Sequence, residues 1–111
     1  MRGKAIDLVQ GTLNMLIFQI VAEEPLHGWG IRGRIHELSK NALQVPFGSL
    51  YPALVRLENR VLVKSRRMPT KTGRLGRRYS LTRAGHAQLK QESAHWDRLS
   101  AGVDRIAHFR R

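Results

Sequence analysis

The sequence contains no cysteine, few acidic residues, few aromatic residues and no long apolar run. Without thiols it can form neither disulfides nor thiolate metal sites, and it has no cysteine nucleophile. Its apolar runs are too short to span a bilayer, and the N-terminus has no signal-peptide core. We therefore expect a soluble, cytoplasmic protein of one domain, because 111 residues can bury a core without covalent crosslinks.

The polar residues form no catalytic or metal-binding pattern. The eight acidic residues are scattered, without a nucleophile elbow, a phosphate loop or paired carboxylates. The five histidines include no i, i+4 pair and no adjacent ligand set. We therefore expect no enzymatic activity, no metal and no cofactor.

Positive charge is the strongest signal in the composition. Twenty Lys and Arg residues against eight Asp and Glu residues give a net charge of +12. This excess makes a polyanion such as nucleic acid the leading candidate partner. Seven of the cations form a cluster within fifteen residues: Lys64, Arg66, Arg67, Lys71, Arg74, Arg77 and Arg78. A cluster of this kind either binds phosphates or is merely solvated.

Hydrophobic periodicity predicts two helices in the first forty residues. The first opens at Gly11-Thr12, with Thr12 as N-cap, and ends at Glu24-Pro25. Its apolar stripe consists of Leu13, Leu16, Ile17, Ile20 and Val21. The second helix follows a turn at His27-Gly28 and runs to about Ser39. Its buried face consists of Ile31, Ile35 and Leu38.

A third helix is predicted within VPFGSLYPALVRLE, residues 45–58. Leu50, Leu54 and Leu57 have helical spacing and should face the core. With Ser49 as N-cap, Pro52 falls in the first turn, where its missing amide hydrogen costs little.

The periodicity then changes to that of strands. Val61-Leu62-Val63 begins one strand, and Arg78-Tyr79-Ser80-Leu81 forms a second. The segment between them, MPTKTGRLGR, contains proline, glycine and cations, which predicts a long, flexible, basic loop.

The last predicted helix starts at Thr82 as N-cap and runs to about His108. At about 1.5 Å per residue it is roughly 40 Å long, too long for the rest of the chain to cover. We therefore expect a second copy of the chain to pack against it. The candidate interface residues are Leu89, Trp96, Leu99, Val103 and Ile106. Trp96 either fills the interface between the two long helices or lines a cavity, shared by the two subunits, for a small apolar or aromatic effector.

The predicted fold class is mainly α with a small β-hairpin. The order of elements describes a winged helix-turn-helix over residues 1–81, followed by a C-terminal dimerisation helix over residues 82–111.

In a helix-turn-helix, the second helix of the motif enters the major groove with its N-terminal end first. Hydroxyls there can bind phosphates or base edges, apolar groups can touch a thymine methyl, and arginine can reach guanine. The alternative is that Tyr51 belongs to the core and Gly48 is a plain turn residue. The candidate DNA contacts are Phe47, Gly48, Ser49, Tyr51, Pro52 and Arg56.

Taken together, four segments resemble the PadR family of bacterial transcriptional regulators. They are GTLNMLIFQIV (11–21), PLHGWGI (25–31), GSLYPALVRLE (48–58) and RRYSLTRAGHAQL (77–89). Their order and spacing match over nearly the whole chain. GSLYPALVRLE is the most specific, whereas YSLTRAG is similar to strings in other winged-helix families, including MarR-like ones.

The resemblance implies a homodimeric repressor that binds a pseudo-palindromic operator in double-stranded DNA. It also implies that the helix carrying Ser49, Tyr51 and Pro52 reads the major groove. The wing, from Lys71 to Arg77 with Arg74 between them, would then meet the DNA backbone or minor groove. The end of the chain is similar to the branch of the family that has one C-terminal helix.

Two positions depart from the family pattern. Val61 stands where the family often has glycine, so we expect Asn59 to take the left-handed cap and the helix to end earlier. Trp29 stands where tyrosine is usual, so it either replaces a phosphate-binding hydroxyl with its indole N–H or packs between helices.

Three classes of function remain open at this point. The leading hypothesis is a sequence-specific dimeric repressor, with release by an effector. The second is a sequence-neutral nucleic-acid packager that acts through charge alone, and the third is an adaptor whose wing binds an acidic protein.

Overall fold

The computed structural model describes residues 8–110, in which four helices pack against one face of a three-stranded sheet. The helices are α1 (Gln10–Glu23), α2 (Gly28–Leu38), α3 (Phe47–Asn59) and α4 (Arg83–Ala107). The strands are β1 (Leu26–His27), β2 (Val63–Pro69) and β3 (Leu75–Leu81). Their order in the sheet is β1-β3-β2, and both pairings are antiparallel. This is a mainly α winged-helix fold with a long C-terminal helix, as the sequence predicts.

The core is formed by α1, α2 and α3 together with one face of the sheet. The apolar stripes predicted for these helices are largely confirmed, since the side chains with helical spacing are buried. Leu16 is only partly buried, and Phe18, outside the predicted stripe, is fully buried. The largest fully buried side chains are Ile17, Phe18, Ile31, Val45, Leu50, Leu54, Leu57 and Val63.

The first helix starts earlier than its capping signal predicts. Val9 is the N-cap residue, without a side-chain cap, and the Leu13 amide donates to the Val9 carbonyl at 3.0 Å. Thr12 is therefore not the N-cap. The amides that precede Leu13 in the first turn have no intrahelical acceptor and can bond to water. The predicted end at Glu24-Pro25 is confirmed.

The end of α2 differs from the prediction in its last apolar position. Leu38 is 57% exposed rather than buried. The amides of Lys40 and Asn41 return to the carbonyls of Glu37 and His36 at 3.1 and 2.7 Å, with Lys40 in the left-handed region (φ 53°). This closing motif stops α2 at Leu38, which leaves that side chain at the rim of the core.

A short strand precedes α2 where the sequence predicted only a turn. Leu26 pairs with Tyr79, and His27 pairs with Arg78. The His27 ring lies over Gly76, where a Cβ would stand 2.9 Å from it. Two residues give no detectable periodicity, so this pairing follows from the tertiary structure.

The start of α3 lies three residues before the one predicted with Ser49 as N-cap. The N-cap is Pro46, whose carbonyl accepts from the amides of Ser49 and Leu50, both at 3.0 Å. Pro52 is consequently inside the helix, beyond the first turn. Its missing amide leaves the carbonyl of Gly48 without a helical donor, and Gly48 is exposed to water. The proline is tolerated because that carbonyl can be hydrated.

The end of α3 contradicts the expectation for Val61. The helix continues through Asn59, and Val61 itself adopts the left-handed conformation, with φ 59°. The Val61 amide donates to Glu58 at 2.9 Å and the Leu62 amide to Leu57 at 3.0 Å. Leu57 and Leu62 are both buried in the core, so the turn that joins them is fixed at both ends. We infer that this packing imposes the unfavourable conformation on Val61.

Replacing Val61 with glycine should stabilise the protein. A β-branched residue in the left-handed region costs roughly 1–2 kcal/mol, of which glycine would return about half after its unfolded-state entropy is counted. The Val61 side chain is 65% exposed, so little packing is removed. We expect a rise in Tm of several degrees in a thermal melt. The same change at the exposed helical residue Val55 should lower Tm, and an unchanged Tm for Val61→Gly would contradict the strain.

The hairpin loop is shorter than predicted, and the first strand begins at Val63 rather than at Val61. Half of the segment MPTKTGRLGR belongs to the strands, which pair from Val63 with Leu81 to Pro69 with Leu75. The turn spans residues 70–74, where the Thr70 amide donates to Arg74 at 2.7 Å and Gly73 has φ 86°. Cross-strand pairing therefore prevails over turn-forming composition in half of this segment.

The start of α4 is confirmed in detail. The Thr82 hydroxyl oxygen accepts from the Gly85 amide at 3.0 Å and donates to the Val61 carbonyl at 2.7 Å. A Cβ at Gly85 would lie 2.1 Å from the Leu62 carbonyl oxygen, so glycine is required where α4 crosses the end of α3. Within residues 8–110 no helix is both long and apolar enough to cross a membrane.

Candidate nucleic-acid interface

The N-terminal part of α3 presents one continuous exposed surface. Its members are the predicted residues Phe47, Gly48, Ser49, Tyr51, Pro52 and Arg56. Nothing lies within 4 Å of a Cβ built at Gly48, so a ligand backbone can approach there. The opposite side of the helix carries the buried leucines, which hold this surface rigidly on the core.

Tyr51 belongs to this surface rather than to the core, since it is 40% exposed. Its ring lies over Gly28, where a Cβ would stand 2.6 Å from the ring. Phe47 stacks on Tyr51 with a centroid distance of 5.6 Å, and the Arg32 guanidinium lies 4.5 Å from the Phe47 centroid. The stack fixes the tyrosine ring and leaves its edge available to a partner.

Trp29 is not packed between helices. It is 52% exposed and stacks on His27 at 6.0 Å, with an interplanar angle of 15°. Because His27 is paired into the sheet, the indole stands at the junction of α2 and the wing. Its role in DNA contact stays a prediction.

A cavity of about 720 Å³ lies between the wing and the helix-turn-helix. It brings together five side chains that the sequence placed in separate segments, together with backbone and apolar groups of His27, Leu75 and Gly76. Aromatic rings and cations that line one cavity suit contacts with a sugar-phosphate chain. The five side chains are Trp29, Tyr51, Lys71, Arg74 and Arg77.

Two residues of α2 hold the segment that leads into α3. Arg32 Nε donates to the Val45 carbonyl at 2.7 Å, and the Val45 amide donates to His36 Nε2 at 2.8 Å. Burial, and then the nearby Arg32 charge, lower the pKa of His36, which keeps its ring neutral and able to accept. Neither residue could be identified from the sequence, because a side-chain to backbone bond leaves no periodic signal.

A hydrogen-bonded chain connects α3 with both wing strands. Ser65 on β2 donates to the Glu58 carboxylate at 2.7 Å, and Arg77 on β3 donates to the Ser65 hydroxyl at 3.0 Å. The neighbouring Tyr79 is buried, and its pKa is raised first by that burial and then by the Glu58 charge. The chain fixes the angle between the recognition surface and the wing, and it holds Arg77 beside the cavity.

Strand alternation divides the predicted cluster of seven cations. Arg67 and Arg77 share a face with Ser65 and Tyr79, the side that packs towards α3. Lys71 and Arg74 lie in the turn. The other three, Lys64, Arg66 and Arg78, lie on the opposite face of the hairpin, which we call the outer strip.

Sequence reasoning missed Val55. This side chain is 54% exposed and lies one turn beyond Tyr51 and Pro52 on the same side of α3. Its apolar surface could touch a thymine methyl. The available signal was its position outside the leucine stripe, at i+3 and i+4 from two candidate contacts.

The long helix carries the apolar surface predicted for dimerisation. Trp96, Leu99, Val103 and Ile106 are exposed, the last to 75%. Leu89 differs, because it is partly buried against the core of its own chain. A contiguous apolar stripe of this kind typically marks a surface that another chain covers. Among the five predicted interface residues, Leu89 therefore packs within its own subunit and is less available to a partner.

A second cavity lies between α1 and α4. Its volume is about 320 Å³, and Trp96 and Leu99 line it together with Met15, His95 and Glu92. A group of three or more metal-ligating side chains is not found within residues 8–110.

The fold and this surface define a class of protein. A recognition helix exposed at its N-terminal end, beside a basic two-stranded wing, is the arrangement of a winged helix-turn-helix DNA-binding protein. The family model of the transcriptional regulator PadR-like family matches residues 17–91, more than half of the chain. The chain therefore belongs to the PadR-like family of DNA-binding transcriptional regulators, which are not enzymes.

Two solved structures are similar to this chain. A PadR-like transcription factor from Bacteroides fragilis is 30% identical, with 87% of this chain and 91% of that chain covered and a TM-score of 0.72. A protein from Streptococcus mutans UA159 shares the fold at 23% identity, with 97% of both chains covered and a TM-score of 0.83.

A curated relative is encoded in a transposon. It is an uncharacterized 37.1 kDa protein of transposon TN4556 from Streptomyces fradiae, 38% identical over 89 residues. The match covers 80% of this chain but 24% of that protein, so the chain spans about a quarter of the relative's length.

Proposed function

We propose that the protein is a homodimeric repressor that binds a pseudo-palindromic operator in double-stranded DNA. The observation that carries the proposal is the cavity in which Trp29 and Tyr51 meet Lys71, Arg74 and Arg77 beside the exposed start of α3. Base edges would be read by α3, and the wing cations would bind the backbone.

The exposed stripe of α4 supports the dimer. In the proposed division of labour, residues 1–81 bind DNA and residues 82–111 pair the subunits. Two-fold pairing would set the recognition helices about one DNA turn apart, roughly 34 Å, so each subunit would read one half-site.

Selection of duplexes from a random pool, followed by titration of the winner and a scrambled version, tests the proposal. At near-physiological salt we expect a two-fold-symmetric winner that binds about a thousandfold more tightly than its scrambled counterpart. Equal affinity for both duplexes would mean that charge alone acts, which is the packager. Failure to bind either would favour the adaptor.

An effector site for a small apolar or aromatic molecule is a further part of the proposal. The cavity beside Trp96 supports it, because a ligand wedged between α1 and α4 would alter the separation of the two recognition helices. We expect such a ligand to lower operator affinity in the native protein and to have less effect on a Met15→Ala variant, which alters the cavity from α1 and leaves the apolar stripe of α4 intact. The measurement is a titration of the selected duplex with a panel of aromatic compounds, and equal responses of the two proteins would exclude this site.

A further inference from the structure

The outer strip is a cationic surface on the side of the hairpin that faces away from α3. In the strand register, Arg66 stands directly opposite Arg78, and Lys64 stands opposite Ser80. Side chains alternate along a strand, so these cations lie opposite the face on which Ser65 contacts Glu58. The strip therefore faces away from any phosphate that Arg77 would contact on the other face.

The strip does not stabilise the fold. Like charges directly opposite each other on neighbouring strands are destabilising. Across residues 8–110 the ion pairs are those of Arg34 with Glu23 and Glu37, so the strip gains no carboxylate from this part of the chain. Its three exposed charges are therefore available to an anion from outside the subunit.

The shape of the strip suits a linear polyanion. Its side chains line a shallow cavity of about 250 Å³ together with Pro25, Met68 and Ser80. Lys64 and Arg66 are two residues apart on one strand, which separates their Cα atoms by roughly 6.8 Å, and Arg78 lies about 5 Å across. Several charges spaced in this way match successive phosphates of a nucleic-acid backbone better than one small anion.

We propose that the outer strip binds the phosphate backbone of duplex DNA beyond the half-site that α3 reads. The inference rests on the proposed function, because an operator-bound subunit holds its own flanking duplex nearby. Tethering raises the effective concentration of that flank to the millimolar range, so weak phosphate contacts become occupied. An acidic protein lacks this advantage.

The test compares two duplexes that share the selected operator. One ends at the operator, and the other extends by about 15 base pairs, roughly one and a half helical turns, on each side. The variant is Lys64→Gln/Arg66→Gln/Arg78→Gln, whose folding is checked by a thermal melt. The matched control, Lys90→Gln/Arg98→Gln/Arg105→Gln, removes the same number of exposed charges from α4.

We expect the native protein to show a steeper salt dependence on the long duplex than on the short one. The outer-strip variant should lose about 2 to 3 units of the log–log salt slope on the long duplex and keep native affinity for the short one. The α4 control should retain the difference between the duplexes.

Equal slopes for variant and native protein on the long duplex would overturn the proposal, as would an equal loss on both duplexes. Polyglutamate that displaces the long flank better than scrambled duplex of equal charge would assign the strip to an acidic protein instead. Failure of the proposed function looks different, because the native protein would then not prefer its operator to a scrambled duplex.

Discussion

Replacing Leu99 with glutamate is expected to produce a monomer that no longer binds the operator tightly. Leu99 is 48% exposed and lies between Trp96 and Val103 on the apolar stripe of α4. In a two-fold dimer each substitution occurs twice, so two carboxylates would enter one apolar seam without partners.

The expected effect is large. At about 2 kcal/mol or more for each central interface residue, two copies should raise the dimer dissociation constant by at least about a thousandfold. Loss of the second half-site then removes the avidity of linked binding, which is about 10²- to 10⁴-fold.

Sedimentation of the protein and titration of the operator measure the two effects. Ala101→Glu is the matched control, because this exposed residue lies about 200° around the helix from Leu99 and receives the same charge. It should stay dimeric and bind DNA. A Leu99→Glu protein that remains dimeric, or a monomer that binds tightly, would refute the proposed interface.

Replacing Ser49 and Tyr51 with alanine should remove operator preference and preserve general DNA binding. Both residues lie on the exposed start of α3, whereas Lys71 and Arg74 lie in the wing turn and are untouched. Removing a hydrogen bond to a base or a phosphate costs about 1–3 kcal/mol, so operator affinity should fall by about 30-fold or more. Affinity for a scrambled duplex, and its salt slope, should remain native.

Tyr51→Phe separates DNA binding from packing. The ring would still cover Gly28 and stack on Phe47, and only the hydroxyl would be removed. Full operator affinity in Tyr51→Phe with a loss in Tyr51→Ala would assign the tyrosine a packing role. The double alanine variant also separates the three classes of function, because a packager would be unaffected and an adaptor would have no operator to lose.

The helical core was predictable because burial imposes a period. Leu50, Leu54 and Leu57 indicate a helix face at any position in a chain, and Thr82 indicates a start that its bond to Gly85 confirms. The exact ends were less predictable. Val61 takes a conformation that its own chemistry disfavours, because Leu62 and Leu57 pack together and the turn between them must follow.

The candidate interface was predictable as a set of residues and not as an arrangement. Trp29, Tyr51 and Arg74 could be proposed from three separate segments, yet one cavity lined by all of them requires the sheet register. The basic hairpin is a second example. The sequence shows seven cations in one segment, but only the strand pairing shows which face of the hairpin each of them occupies. Arg32 and His36 could not be identified at all, since their bonds to Val45 join the ends of a turn.

The sequence by itself therefore determined the order of the four helices and the hairpin, most of the buried faces of α1, α2 and α3, and the excess of positive charge. These are local properties, carried by spacing and composition. Only the tertiary structure decided how α3 meets the wing through Glu58, Ser65 and Arg77, and which cations turn away from it. The reason is physical: strand pairing alternates side chains between two faces, and the register that assigns each residue to a face is set by contacts between distant segments.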